Sequence, residues 1–189
     1  MGVAVVRFIE TELKNVILVE PDVHEDQRGY FFELYHERKY AEGRITSRFV
    51  QDNYSQSVRD TLRGLHYQLE KPQGKLIVVV EGVIFDIVLD IRRGSPMFGK
   101  WYGVELSSEN KRQLYVPPGF AHGFCVLSET AGVVYKCTDF YHPEDEHGII
   151  WNDRAIGISW PVANPLLSPK DQSYKSLAES EAHLPLYGE

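Results

Sequence analysis

The sequence predicts an all-β fold, a sandwich or barrel of short strands with short peripheral helices. Three observations point there. The longest apolar runs are of strand length, as in Leu76 to Val80 (LIVVV). Val83 to Ile91 (VIFDIVLDI) alternates with period two, its odd positions all apolar and its even positions including Asp86 and Asp90. Gly, Pro and Ser punctuate the runs at regular intervals. The chain has 189 residues, 43% of them hydrophobic and 25% charged. That suffices for one domain with a real core, expected to span 1–189.

In order, Asn15 to Val19 (NVILV) reads as the first strand, stopped by Pro21. Asp22 to Gly29 is charged and closes in the turn Asp26-Gln27-Arg28-Gly29. Tyr30 to Tyr35 (YFFELY) is extended, its aromatics interrupted by Glu33. His36 to Gly43 is polar and predicts a short helix ending at the glycine. Phe49 to Ser57 is extended and polar, so Gln51, Asp52 and Asn53 either line a ligand or face water. In Val83 to Ile91 the pattern predicts one packed face and one partly polar face. Lys100 to Leu106, Gln113 to Val116, Gly123 to Leu127 and Val133 to Thr138 are further strands. Pro117-Pro118-Gly119-Phe120-Ala121-His122 is a tight turn that delivers His122 to a strand. At the end, Ser168-Pro169-Lys170-Asp171 has a helix start: Ser as N-cap, Pro at the first helical position, an acid in the first turn. The helix is expected over Asp171 to Ala182, on the surface.

Composition removes several function classes. The net charge of −7 argues against nucleic-acid binding through the whole surface. No apolar run is long enough for a membrane span. Met1 to Glu12 has no long apolar run after a basic start, so no signal peptide is expected. Cys125 and Cys137 lack metal-type spacing and read as buried free thiols. A cytoplasmic location is the expectation.

Chemistry concentrates in Leu62-Arg63-Gly64-Leu65-His66-Tyr67-Gln68, with Lys75 following in Pro72-Gln73-Gly74-Lys75. A neutral imidazole accepts a proton near neutral pH. Arginine offers a planar fork of donors to a phosphate or carboxylate. A lysine stabilises charge developing on an oxygen. Base, anion anchor and electrophile together suggest proton transfer on an anionic substrate; the alternative is a strand with a satisfied histidine and two surface cations. Tyr135 and Tyr141 are six residues apart, an even spacing that keeps both on one face of a regular strand.

Eight ordered stretches, DQRGYFFE, QDNYSQS, LRGLHYQ, QGKL, PPGFAHGF, YKCTDFY, WND and LSPKD, lie between Asp26 and Asp171, and the resemblance they carry covers about Asn15 to Ala178. In this set the chain resembles the dTDP-4-dehydrorhamnose 3,5-epimerases. The resemblance implies a cupin-type jelly-roll β-barrel, a homodimer, a dTDP-4-keto-6-deoxy sugar as substrate, and no cofactor or metal. By position, His66 resembles the base, Asp171 its dyad partner, Tyr135 the acid and Lys75 the group at the keto oxygen. Arg63 and His122 resemble further sugar contacts. Arg28, Glu33, Gln51, Asp52, Asn53, Glu146 and Lys170 match positions that hold the nucleotide sugar, and Tyr141 matches the residue that stacks on thymine. Strict alternation would put Arg63 and His66 on opposite faces, so a bulge near Gly64 is expected.

The chemistry is consistent on its own terms. A 4-keto group acidifies the hydrogens at C3 and C5, because the carbanion delocalises onto the ketone. Inversion then needs a base on one face and an acid on the other. Three rivals differ from this reading. A metal cupin would use Pro117–His122 as P-x-G-x-x-H, but His66 is followed by Tyr67-Gln68 where the H-x-H half belongs. A non-enzymatic sugar binder would not need the His–Asp and Tyr set. A monofunctional 3- or 5-epimerase would use the same residues.

Overall fold

The computed structural model describes residues 6–188. Among the described residues thirteen strands form, in chain order: β1 (Arg7–Glu10), β2 (Ile17–Glu20), β3 (Val23–Asp26), β4 (Gly29–Phe32), β5 (Gln51–Val58), β6 (Leu62–Gln68), β7 (Lys75–Glu81), β8 (Val83–Asp90), β9 (Trp101–Ser107), β10 (Gln113–Val116), β11 (Phe120–Val126), β12 (Thr130–Cys137) and β13 (Glu146–Gly148). Helix α1 (Glu37–Glu42) lies between β4 and β5, and α2 (Pro169–Ser173) and α3 (Leu177–Ser180) follow β13. Six strands form one sheet in the order β1-β2-β10-β7-β12-β5, and five form a second in the order β13-β6-β11-β8-β9. β3 and β4 form a separate hairpin. The pairings between these strands are antiparallel. This is the jelly-roll barrel expected.

The core lies between the two sheets. Leu18, Ile77, Val79, Leu114, Val116 and Val133 from the first sheet pack against Ile84, Val88, Leu106, Phe120, Phe124 and Val126 from the second. Each sheet is also covered on its outer face. Tyr40 of α1 packs on the first, with Ile17, Leu76 and Tyr115. Leu177, Leu184 and Ile149 pack on the second, with Leu65, Ile87 and Leu89. A strand buried on both sides loses the polar face that alternation predicts. β8 is buried on both sides yet keeps the partly polar face expected of it: Asp86 and Asp90 stand there beside Ile84 and Val88, and both acids are 0% exposed.

Several boundaries move for local reasons. β2 starts at Ile17, two residues later than expected, because Asn15 takes the left-handed conformation (φ 72°) in the preceding turn. The turn at Asp26–Gly29 forms as expected, with Asp26 Oδ1 accepting from the Arg28 N–H at 2.8 Å. β11 begins at Phe120, so His122 is the third residue of the strand. The expected helix over Asp171 to Ala182 is instead α2, α3 and a 3-10 turn at Glu181–His183. Ser168 caps α2 as expected, its side chain accepting from Asp171 N–H. The break comes where Lys175 pairs with Ile149 and Ile150 N–H donates to the Lys175 carbonyl at 2.9 Å. Ser176 and Glu179 then start α3 with a reciprocal capping box.

Candidate active site

β6 carries a bulge. Arg63 faces Phe124 and His66 faces His122, so three steps on β6 match two on β11. The extra residue turns Arg63 and His66 toward one cavity, as the alternation argument requires. Gly64 makes this possible. Its φ is +124°, and a Cβ there would meet the Gly123 Cα at 2.6 Å and the His122 carbonyl oxygen at 2.8 Å. Only glycine lets the two backbones approach that closely.

The cavity lies between the sheets, with a volume of about 310 Å³. Arg63, His66 and His122 line it from the second sheet; Lys75, Tyr135, Gln51 and Asn53 line it from the first. Arg63 Nε donates to Ser57 Oγ of β5 at 3.1 Å, tying the two walls together.

His66 Nε2 lies 2.6 Å from Asp171 Oδ1. Asp171 is 4% exposed, and Ser168 Oγ donates to its second oxygen at 2.8 Å. Burial pushes the Asp171 carboxyl up, but the bonds from His66 and Ser168 outweigh it and hold the group below the ordinary carboxylate range. Asp171 is thus both the helix-start acid and the partner of the imidazole. Nδ1, the other ring nitrogen, is 3.8 Å from Glu146 Oε1. Tyr174 stands edge-on to the imidazole, with ring centroids 5.7 Å apart. Together these contacts leave the ring little freedom.

Glu146 gathers the cavity mouth. Tyr141 donates its hydroxyl to Oε2 at 2.5 Å, and the Lys170 ammonium bonds the same oxygen. Burial pushes the Glu146 carboxyl up, while Lys170 and Tyr141 hold it low. The bond to Glu146, then burial, pushes the Tyr141 hydroxyl up to about 12. Tyr141 lies past the end of β12, in a loop, yet still reaches the cavity. Gln51 Oε1 accepts from its backbone N–H at 3.0 Å, and Gln68 Oε1 accepts from His142 N–H at 2.9 Å.

On the opposite wall, burial pushes the Tyr135 hydroxyl up, so it stays protonated. Lys75 starts β7, paired with Cys137. Burial pulls its ammonium down, and Cys137, Glu146 and Asp86 push it back up.

Not every expected residue gathers here. Asp52 points outward on β5, exposed and paired with Lys136 at 2.8 Å, because strand alternation turns inward only its neighbours Gln51 and Asn53. Arg28 sits at the exposed tip of the β3–β4 hairpin, bonded to Asp26. Glu33 follows the hairpin and pairs with Lys39. Neither lines the cavity of its own chain. Lys170 reaches the site only through Glu146. Asp86, which the sequence marks only as an acid in an apolar strand, bonds His122: Nε2 lies 3.0 and 2.9 Å from its two oxygens. Among the described residues, no three His, Cys, Asp or Glu side chains come together to hold a metal; each cavity histidine has a carboxylate partner instead.

A family model described as dTDP-4-dehydrorhamnose 3,5-epimerase matches residues 10–179. The chain belongs to this family. A dTDP-4-dehydrorhamnose 3,5-epimerase from Methanothermobacter thermautotrophicus is 51% identical over 181 residues, covering 94% of this chain and 98% of its own. A solved dTDP-6-deoxy-D-glucose-3,5-epimerase from Legionella pneumophila, in complex with dTDP-4-keto-L-rhamnose, is 49% identical with a TM-score of 0.94. It covers 97% of this chain and 100% of its own. A dTDP-4-dehydrorhamnose 3-epimerase from Streptomyces niveus is 40% identical, covering 89% of this chain and 82% of its own. Both one-centre and two-centre enzymes of the epimerase family therefore resemble this chain.

Proposed function

We propose that this protein is a dTDP-4-dehydrorhamnose 3,5-epimerase, acting on dTDP-4-keto-6-deoxyglucose through an enolate. The observation that carries this is the opposition of two proton-handling groups, His66 on one sheet and Tyr135 on the other, across one cavity. In this reading His66 Nε2–H donates to Asp171, which leaves Nδ1 as the basic atom. Nδ1 takes the proton from C3 or C5, and the Asp171 carboxylate stabilises the resulting imidazolium. The electron pair moves onto the C4 oxygen as an enolate, met by Lys75 and His122. Tyr135 returns a proton from the opposite wall, inverting the carbon, and recovers its own from solvent, while His66 releases the abstracted proton to solvent. General acid–base groups of this kind contribute about 10²–10⁴-fold each.

The test is NMR of the sugar with the purified protein in deuterated water. Deuterium at both C3 and C5 supports the 3,5 reading. Deuterium at one carbon favours the monofunctional alternative, and none rejects epimerisation of this sugar.

The proposal includes a homodimer. Arg28 and Glu33 lie away from the cavity of their own chain, on and beside a hairpin whose Tyr30 and Phe31 are exposed. A second copy covering that hairpin would bury the aromatics and bring Arg28 to a nucleotide. Light scattering on the purified protein checks the stoichiometry. The buried free thiols Cys125 and Cys137 suit a reducing compartment, which supports a cytoplasmic location.

A further inference from the structure

Asp86 is a buried acid without a local structural task. The other fully buried acid of β8, Asp90, has one. It accepts from the backbone and guanidinium of Arg92 and from Ser95 Oγ, closing the turn after the strand. Asp86 has His122 as its hydrogen-bond partner and no other among the described residues. Its neighbours on the same face, Ile84 and Val88, are core apolar residues. A buried ion pair at such a site is often less stabilising than a well-packed apolar side chain, so stability alone does not explain an acid here.

The strand register shows what Asp86 stands beside. His66 and His122 are direct partners across β6 and β11. Asp86 lies one strand further on, opposite Phe124 and diagonal to His122. Two imidazole–carboxylate pairs, His66–Asp171 and His122–Asp86, therefore stand side by side on one wall. His122 of the second pair lines the cavity together with Lys75, and Asp86 lies buried behind it. Both Asp86 oxygens lie 2.9–3.0 Å from one nitrogen, the geometry of a carboxylate accepting one N–H.

We propose that Asp86 is a positioning residue for the electrophilic side of the reaction: it fixes His122 at the cavity wall and sets a buried negative charge behind the Lys75–His122 pair. The inference rests on the epimerase reading above. With Nε2–H committed to Asp86, His122 turns Nδ1 to the sugar, and it donates to the enolate oxygen there when both ring nitrogens carry protons. The charge of Asp86 also bears on Lys75. Burial pulls that ammonium down, and three groups oppose it: Cys137 of β12, Glu146 of β13 and Asp86 of β8. Burial pushes Asp86 itself up, against His122 and Lys75. Replacing Asp86 by a neutral side chain removes one of the influences that keep Lys75 charged.

The experiment compares wild type with Asp86→Asn, which preserves shape and removes charge. The expected result is a kcat about 10²-fold lower with KM within about threefold, because stabilisation of developing charge is lost and ground-state binding is not. Exchange and inversion should fall together. The alkaline limb of kcat should move to lower pH, since Lys75 loses its proton earlier. A folded variant with wild-type kcat and an unmoved alkaline limb overturns the proposal. Should Asp86→Asn fail to fold, ¹⁵N-histidine NMR of the wild type decides. Nε2 of His122 is expected to carry a proton in a hydrogen-bonded state, and a neutral His122 protonated on Nδ1 alone overturns it. Wild type that leaves C3 and C5 unexchanged defeats the epimerase reading, whereas an active wild type with an equally active Asp86→Asn defeats only the role of Asp86.

Discussion

Replacing Gly64 with alanine tests whether the β6 bulge builds the site. Two costs can be worked from the structure. The backbone at φ +124° is close to glycine-only, and a side chain there costs about 1–3 kcal/mol. The new Cβ would also sit 2.6 Å from the Gly123 Cα, where carbon atoms normally stand about 3.5 Å apart, so β6 and β11 must part by about 1 Å. Overpacking of this kind costs about 1–3 kcal/mol. A total of about 4 kcal/mol corresponds to a Tm lower by about 8–16 °C in a chain of this size. The same displacement moves Arg63 and His66 against His122, and a 1 Å misplacement costs about 10²-fold in rate. The assay is a thermal melt with epimerisation kinetics on the fraction that remains folded. Gly94→Ala is the control: φ is +82°, but a Cβ there meets nothing within 4 Å. It should lose some stability and keep full activity. A folded Gly64→Ala with wild-type kcat/KM would refute the reasoning, as would equal loss of activity in Gly94→Ala.

Four further expectations follow from the site. His66→Ala should abolish deuterium exchange at both carbons in a folded protein, and Asp171→Asn should weaken it less; normal exchange in His66→Ala removes it as the base. Tyr135→Phe should let exchange outlast inversion, since His66 still works on its own side, whereas Lys75→Ala should lower both together; an unchanged ratio in Tyr135→Phe assigns the acid elsewhere. Exhaustive chelation should leave turnover unchanged, and activity restored by one added divalent metal would revive a metal mechanism. Stability should fall on the acid side through Asp145 and Asp171. Burial pushes Asp145 up, but backbone N–H groups of Glu70, Lys71 and Leu69 hold it low, and Asp171 is likewise depressed. Depressed carboxyls add stability above their unfolded values and lose it as pH falls through the folded ones. Asp145→Asn should therefore flatten the fall of Tm with pH, and an unchanged slope counts against this account.

Much of the fold was legible because apolar runs and glycine punctuation are local signals. The bulge was legible through a conflict: Arg63 and His66, three residues apart, could share a cavity only if the alternation broke. What was missed depends on partners distant in sequence. Asp86 lies in a strand buried on both faces, and only pairing with β11 gives it His122. Asp52 was grouped with Gln51 and Asn53, although period two alone separates it from them. The split of the C-terminal helix had a readable signal in Ser176-Leu177-Ala178-Glu179, a capping box inside the expected helix. Arg28 and Glu33 lie off the cavity because the position of the hairpin relative to a second copy is not encoded in one chain's strand pattern.

The two walls of the cavity belong to different sheets, and this bears on how stereochemistry is set. In the proposed reaction the base and the acid are not neighbours on one scaffold element. Their separation is the thickness of the apolar layer that holds the sheets apart, of which Ile77, Phe124 and Val133 both pack in the core and line the cavity. Adding or removing a methylene there would change the gap between proton acceptor and proton donor without touching either. Retention and inversion could then be traded, or one carbon favoured over the other, by side chains that never meet a proton. Differences in outcome among relatives with the same reacting groups would then be sought first in that apolar layer.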